Sequence, residues 1–202
     1  MNRYPRQVAS GYTLVEVVMA LGLSLLTMSV LYSIYVTELK AQHVREEILD
    51  AQQRARVVVD LVSRELIMAG YDPAGVNRDA SPDNDFQGVR LDSNGLQIKA
   101  DLNGNGITGD PNESIIFSHD AQTRSLRRNT GGGNQPFAED IESFQAILLD
   151  QDGHPTGISS EAREVELKVT ARTTVSDPKY SKNGGFRTLT LHSRVTPRNL
   201  SP

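Results

Sequence analysis

Residues 17–37 read VVMALGLSLLTMSVLYSIYVT, 21 uncharged residues in a row, and no charge falls between Glu16 and Glu38. A helix of about 20 residues spans about 30 Å, the thickness of a bilayer core. The preceding MNRYPRQVASG (1–11) carries Arg3 and Arg6 and no acid. Positive charge ahead of a span favours a cytoplasmic amino terminus. The bulk of the chain, from Thr37 onward, is then expected across the membrane. A cleaved secretory signal would have an apolar stretch of about 7–15 residues and a small-residue cleavage site after it. Here the run is longer, and YVTELKAQHVREE after it offers no such site; the small residue, Gly11, stands before the run. Both departures point to a retained membrane helix.

The rest of the composition belongs in water. The 202 residues include 21 basic and 25 acidic side chains, net −4, with 38% apolar and only 5% aromatic. Any core is therefore small and aliphatic. No cysteine is present, which removes a disulfide framework, a thiol nucleophile and a thiolate zinc site. A net acidic chain also argues against nucleic acid as a partner, because phosphate binding needs clustered basic residues.

Glu16 opens the apolar run. A carboxylate deep in a bilayer costs about 2.5–3.5 kcal/mol, and less near the interface. The first lysine is Lys40, so no base lies in the following turns. A shallow acid at headgroup level costs little. Alternatively, a cut after Gly11 would create a cation: Tyr12 would carry a free amine, largely protonated at neutral pH with a reference pKa of about 8. Tyr12 and Glu16 are four apart and share one helix face. In a packed assembly the amine of one chain could instead neutralise the acid of a neighbour.

Gly11-Tyr12-Thr13-Leu14-Val15-Glu16, followed by the apolar run, resembles the prepilin processing motif of type IV pilins and type II secretion pseudopilins. In that family a prepilin peptidase cuts after the glycine and methylates the new amino terminus. The resemblance implies cleavage between Gly11 and Tyr12, N-methylation of Tyr12, and an assembly role for Glu16. The usual first mature residue is phenylalanine, so Tyr12 is an aromatic departure. Removing residues 1–11 takes away Arg3 and Arg6 and leaves the chain more acidic.

The helical pattern continues past the span. No proline or glycine occurs from Glu38 to Ala69. Leu39, Val44, Ile48, Ala51, Ala55, Val58, Val59, Val62, Leu66 and Ala69 recur in three- and four-residue steps, the mark of an amphipathic helix. Arg56 with Asp60, and Asp60 with Arg64, are candidate i,i+4 ion pairs. Gly70 followed by Pro73 is a stop signal. One helix from Thr13 to Ala69 would be about 85 Å long. The stripe is wider than a coiled-coil seam and keeps no heptad.

Beyond Gly70 the period changes. Residues 71–88 are a polar loop, and short alternating runs follow: Val89–Leu91, Leu96–Ala100, Ser114–Ser118, Ser125–Arg127, Ile141–Leu149, Glu164–Thr174 and Phe186–Thr196. Alternation of this kind marks antiparallel strands with one buried face. The expected fold class is α+β: a long amino-terminal helix packed on an antiparallel β-sheet head. The divisions are a leader at 1–11, a membrane or fibre-core half-helix at 12–37, an amphipathic half-helix at 38–70 and a β-rich head at 71–202. RELIMAGYDP (64–73), DLNGNGITGDPNESIIF (101–117) and a final strand rich in Thr and Arg are similar to PilW-type minor pilins. J-type pseudopilins share the plan. Many minor pilins close the terminal loop with a disulfide, so the loop 175–185 (VSDPKYSKNGG) must here be held otherwise or be mobile.

Asp101, Asn103, Asn105, Gly106 and Ile107 follow the D-x-N-x-N-G calcium-loop pattern. Side-chain oxygens at the first, third and fifth steps converge, the glycine permits the turn, and Ile107 offers its carbonyl. The twelfth position is Asn112, and the closing acid, Glu113, comes one step late. No helix flanks the loop, and an Asn/Gly-rich hairpin turn favours the same residues. Ca2+ is thus a candidate ligand; no other cofactor is expected. No catalytic residue is expected either: His43, His119, His154 and His192 are scattered, no G-x-S-x-G elbow or phosphate loop occurs, Asp150–Gly153 reads as a turn, and Gly131–Gly133 reads as a flexible loop.

By this resemblance the chain is expected to be a minor pilin that assembles or primes a type IV pilus, with roles in adhesion or motility. Its partners would be other pilin subunits, the prepilin peptidase and the inner membrane, with the head periplasmic until the subunit enters a surface fibre. The alternatives are a secretion pseudopilin and an anchored binding or adhesin domain that never joins a fibre.

Overall fold

The computed structural model describes residues 11–79, 81, 83, 85–93 and 95–200. The leader residues Arg3 and Arg6 lie outside the described residues. One helix, α1 (Leu14–Met68), is followed by eight strands: β1 (Val89–Asp92), β2 (Gly95–Lys99), β3 (Ser114–Asp120), β4 (Ser125–Asn129), β5 (Asn134–Ala138), β6 (Ile141–Leu149), β7 (Glu164–Arg172) and β8 (Thr188–Val195). The chain forms two compact units divided between Arg45 and Glu46, within α1.

In the first unit α1 carries exposed apolar side chains from Leu14 through Tyr35. This stretch is long and apolar enough to cross a membrane. Its hydroxyls are turned onto the helix backbone: Ser24 Oγ donates to the Ala20 carbonyl at 2.7 Å, Thr27 Oγ1 to Ser24 at 2.9 Å and Thr37 Oγ1 to Ser33 at 2.9 Å. Such bonds remove polar donors that lipid could not satisfy.

In the second unit α1 packs on two antiparallel sheets, one of order β1-β2-β3-β4-β5 and one of order β6-β7-β8. Ala51, Ala55, Val58, Val62 and Leu66 are buried, in the steps that the sequence predicts. They join Val89, Leu96, Ile98, Ile115, Phe117 and Leu126 of the first sheet and Ile141, Leu148, Val165, Leu167, Val169 and Ala171 of the second in one core. Strand β7 alternates buried and half-buried along its whole length, because it pairs on both sides, with β6 and β8. The Phe117 and Phe137 rings meet edge to face, with centroids 5.8 Å apart. The helix ends at Gly70, whose φ of +76° suits a left-handed C-terminal residue. Gly88 lies so close that a Cβ there would stand 2.4 Å from the Gly70 nitrogen.

Several sequence-based expectations need correction. β7 stops at Arg172 and β8 spans only Thr188–Val195, because residues 173–187 turn to close the loop between them. β5 was not expected: Pro136 and the polar Asn134 and Gln135 conceal it, yet it pairs with β4 across a bulge at Leu126/Arg127. It is an edge strand, where a missing N–H is tolerated. Gly131–Gly133 forms the turn from β4 into it. Arg56–Asp60 and Asp60–Arg64 are not among the ion pairs of the described residues. Among the described residues, Glu65 of α1 pairs with Arg128 Nη2 of β4, at 2.6 Å. Exposed side chains gain little by closing on one another, whereas this pair is held by the packing around it.

Candidate functional site

Three places in the chain join polar groups in a way that composition alone does not foretell.

The first is the start of α1. The Thr13 backbone N–H donates to Glu16 Oε2 at 2.9 Å, the Thr13 hydroxyl donates to the same oxygen at 3.0 Å, and the Glu16 N–H donates to Thr13 Oγ1 at 3.3 Å. This is a reciprocal capping box. Glu16 Oε1 takes no donor among the described residues. Tyr12 and Glu16 are both exposed. Sequence reasoning missed the cap, although its signal, Thr-x-x-Glu before an apolar run, stands in the sequence.

The second is the loop 101–113, at the meeting of the end of β2 and the start of β3. Asp101 is fully buried. Its Oδ1 accepts the N–H groups of Gly104 (2.7 Å) and Asn105 (3.2 Å), and its Oδ2 accepts that of Gly106 (2.9 Å). Glu113 is only 2% exposed, and its Oε1 accepts the N–H groups of Leu102 (3.0 Å) and Asn103 (3.1 Å). Asn103 Oδ1 accepts from Asn105 N–H, and Asn105 Oδ1 from Ile107 N–H. Both side-chain amides donate to Asp110 Oδ2, at 2.9 and 2.8 Å. Gly104 and Gly106 have φ near +78° and +77°, the left-handed conformation the turn requires. The structure thus brings Asp101, Asn103, Asn105 and Glu113 into one network, with Ile107 in it through its N–H. Asp110 was missed; it belongs to no ligand position of the motif.

The third is the carboxy-terminal loop, for which no disulfide is available. Glu47 Oε2 of α1 accepts the N–H groups of Thr174 (2.9 Å) and Val175 (3.2 Å). Arg187 donates Nη2 and Nε to Asp177 Oδ2 at 2.8 and 3.2 Å. The Asp177 carboxyl is held below the ordinary aspartate value, first by the Arg187 hydrogen bonds and then by the Lys179 N–H. Asp120, at the end of β3, is lowered too, chiefly by the backbone and hydroxyl of Thr123. The Arg172 guanidinium lies 3.8 Å over the Phe186 ring.

The histidines stay apart. His119 Nε2 meets the Ile141 carbonyl at 2.7 Å, and His192 lies 3.8 Å from Glu166. His154 sits with Asp150 and Asp152 close enough to share an ion. Asp150 Oδ1 accepts the N–H groups of both Asp152 and His154, as expected of a turn.

No family model matches this chain. No curated protein matches it. Among solved structures it is similar to a type IV-like pilin from Thermus thermophilus, at 13% identity and a TM-score of 0.43, covering 74% of this chain and 98% of that one.

Proposed function

We propose that the chain is a minor pilin: a subunit made as a prepilin, cut between Gly11 and Tyr12 by a prepilin peptidase, methylated on Tyr12, and assembled with other pilin subunits into a type IV pilus. The observation that carries this reading is the division of labour along α1. The stretch 14–35 presents bare apolar side chains behind a Gly11…Glu16 motif, while the same helix from Ala51 onward is buried in its own head. The bare stretch lies in the inner membrane, with the head in the periplasm, until sister helices replace the lipid. Glu16 keeps Oε1 open after capping its own helix and meets the new amino-terminal cation of a neighbour. That contact offsets the cost of keeping a carboxylate away from water.

Mass spectrometry of the subunit from pilus-forming membranes is expected to find Tyr12, with one added methyl group, as the amino terminus. An intact Met1 there would overturn the proposal. Glu16→Ala is expected to be processed normally. Its incorporation into purified pili, read by immunoblot, should fall at least about tenfold, which corresponds to ~1.4 kcal/mol.

A further inference from the structure

We propose that the loop 101–113 binds one calcium ion, with Glu113 Oε2 as the closing ligand. The proposal stands independently of the pilin assignment. Its starting point is an orphan: Glu113 is 2% exposed, and its Oε2 is a buried oxygen with no hydrogen-bond partner. It is the only carboxylate oxygen in that condition among the described residues. A buried carboxylate oxygen left without a donor is costly, and a cation is the partner that best relieves it. The carboxylate is not free to swing away, because Oε1 is pinned by the N–H groups of Leu102 and Asn103. Oε2 therefore stays at the loop.

The remaining donors come from the same segment. A carboxylate offers about four lone-pair sites; Asp101 spends three on backbone N–H groups and keeps one. Asn103 and Asn105 each turn the amide nitrogen to Asp110, which fixes Oδ1 on the opposite side of the side chain. Each Oδ1 accepts one backbone N–H and retains a lone pair. Asp110 is thus a positioning residue that sets the amide orientation, in the manner of the outer partners of metal ligands. The Ile107 carbonyl completes the set. Segment 101–113 holds three acids and no base, so no side-chain cation within it competes. An all-oxygen set on a glycine-turned loop, with amide and backbone carbonyls among the donors, suits calcium rather than zinc or a thiophilic metal.

The test uses the full chain in detergent micelles, stripped with chelator and then given calcium chloride. At about 10 mM calcium, roughly tenfold or more above the dissociation constants of extracellular sites, equilibrium dialysis should find close to one bound ion per chain. The melting temperature should then rise by about 3 °C or more over chelator. Glu113→Gln keeps the Oε1 acceptor but places an amide nitrogen where the ion would sit; it should abolish both responses. Should that variant fail to fold, Asn105→Ala, at an exposed position, should weaken calcium binding about tenfold. No bound calcium in the wild-type chain, or an unchanged affinity in Glu113→Gln, would overturn the site. An equal response to magnesium would overturn the choice of ion.

Discussion

Thr13 and Glu16 hold each other through three hydrogen bonds at the first turn of α1. Thr13→Ala removes the hydroxyl from two of them, at a cost of about 1 kcal/mol to the helix end. Amide hydrogen exchange in micelles should register this as roughly fivefold faster exchange at Glu16, the factor that such a free energy implies. The acid was legible in the sequence because a lone charge beside an apolar run stands out. Its threonine partner was equally legible, as Thr-x-x-Glu before an apolar run, but was overlooked because Glu16 was read for its charge and not as the closing member of a capping box. The loop 101–113 is different. The spacing of Asp101, Asn103 and Asn105 could be read from the chain, whereas the burial of Glu113 could not, since it depends on the register in which β2 meets β3.

α1 shows what periodicity does and does not reveal. Its limits were readable to within a residue, because Gly70 and Pro73 mark the stop, and the buried positions Ala51, Ala55, Val58, Val62 and Leu66 fall on the expected stripe. The stripe also includes Leu39 and Val44, but Leu39 is exposed and Val44 only half-buried. Period alone does not say where along a helix its covering domain begins. Leu66→Ala should cost about 2–5 kcal/mol, read as a lower urea midpoint at unchanged slope. Leu49→Ala, at an exposed position of the same helix, should change stability by less than about 0.5 kcal/mol. β5 was hidden for the opposite reason. Its pairing comes from backbone ladder contacts with β4, and a sequence of Asn, Gln and Pro carries no apolar alternation to announce it.

For the molecule as a whole, acid should loosen the head before neutral pH does. Asp120 and Asp177 both hold their protons less tightly in the folded chain than aspartate ordinarily does. The stability they contribute is therefore complete above about pH 4, the unfolded value, and is lost as the pH falls through the depressed folded values. Thermal melts should be level on this account down to about pH 5 and decline below pH 4. In Asp177→Asn the acid decline should be shallower, since one of the two groups no longer titrates.

The carboxy-terminal segment is fastened by Glu47 on backbone amides and by Arg187 on Asp177, in a chain without cysteine. Maturation of this domain accordingly asks nothing of the cell's thiol-oxidising machinery, and reductants leave its closure untouched. Ionic strength takes the place of redox potential as the outside variable that tightens or slackens the clasp, because mobile counter-ions weaken attraction between partly exposed charges.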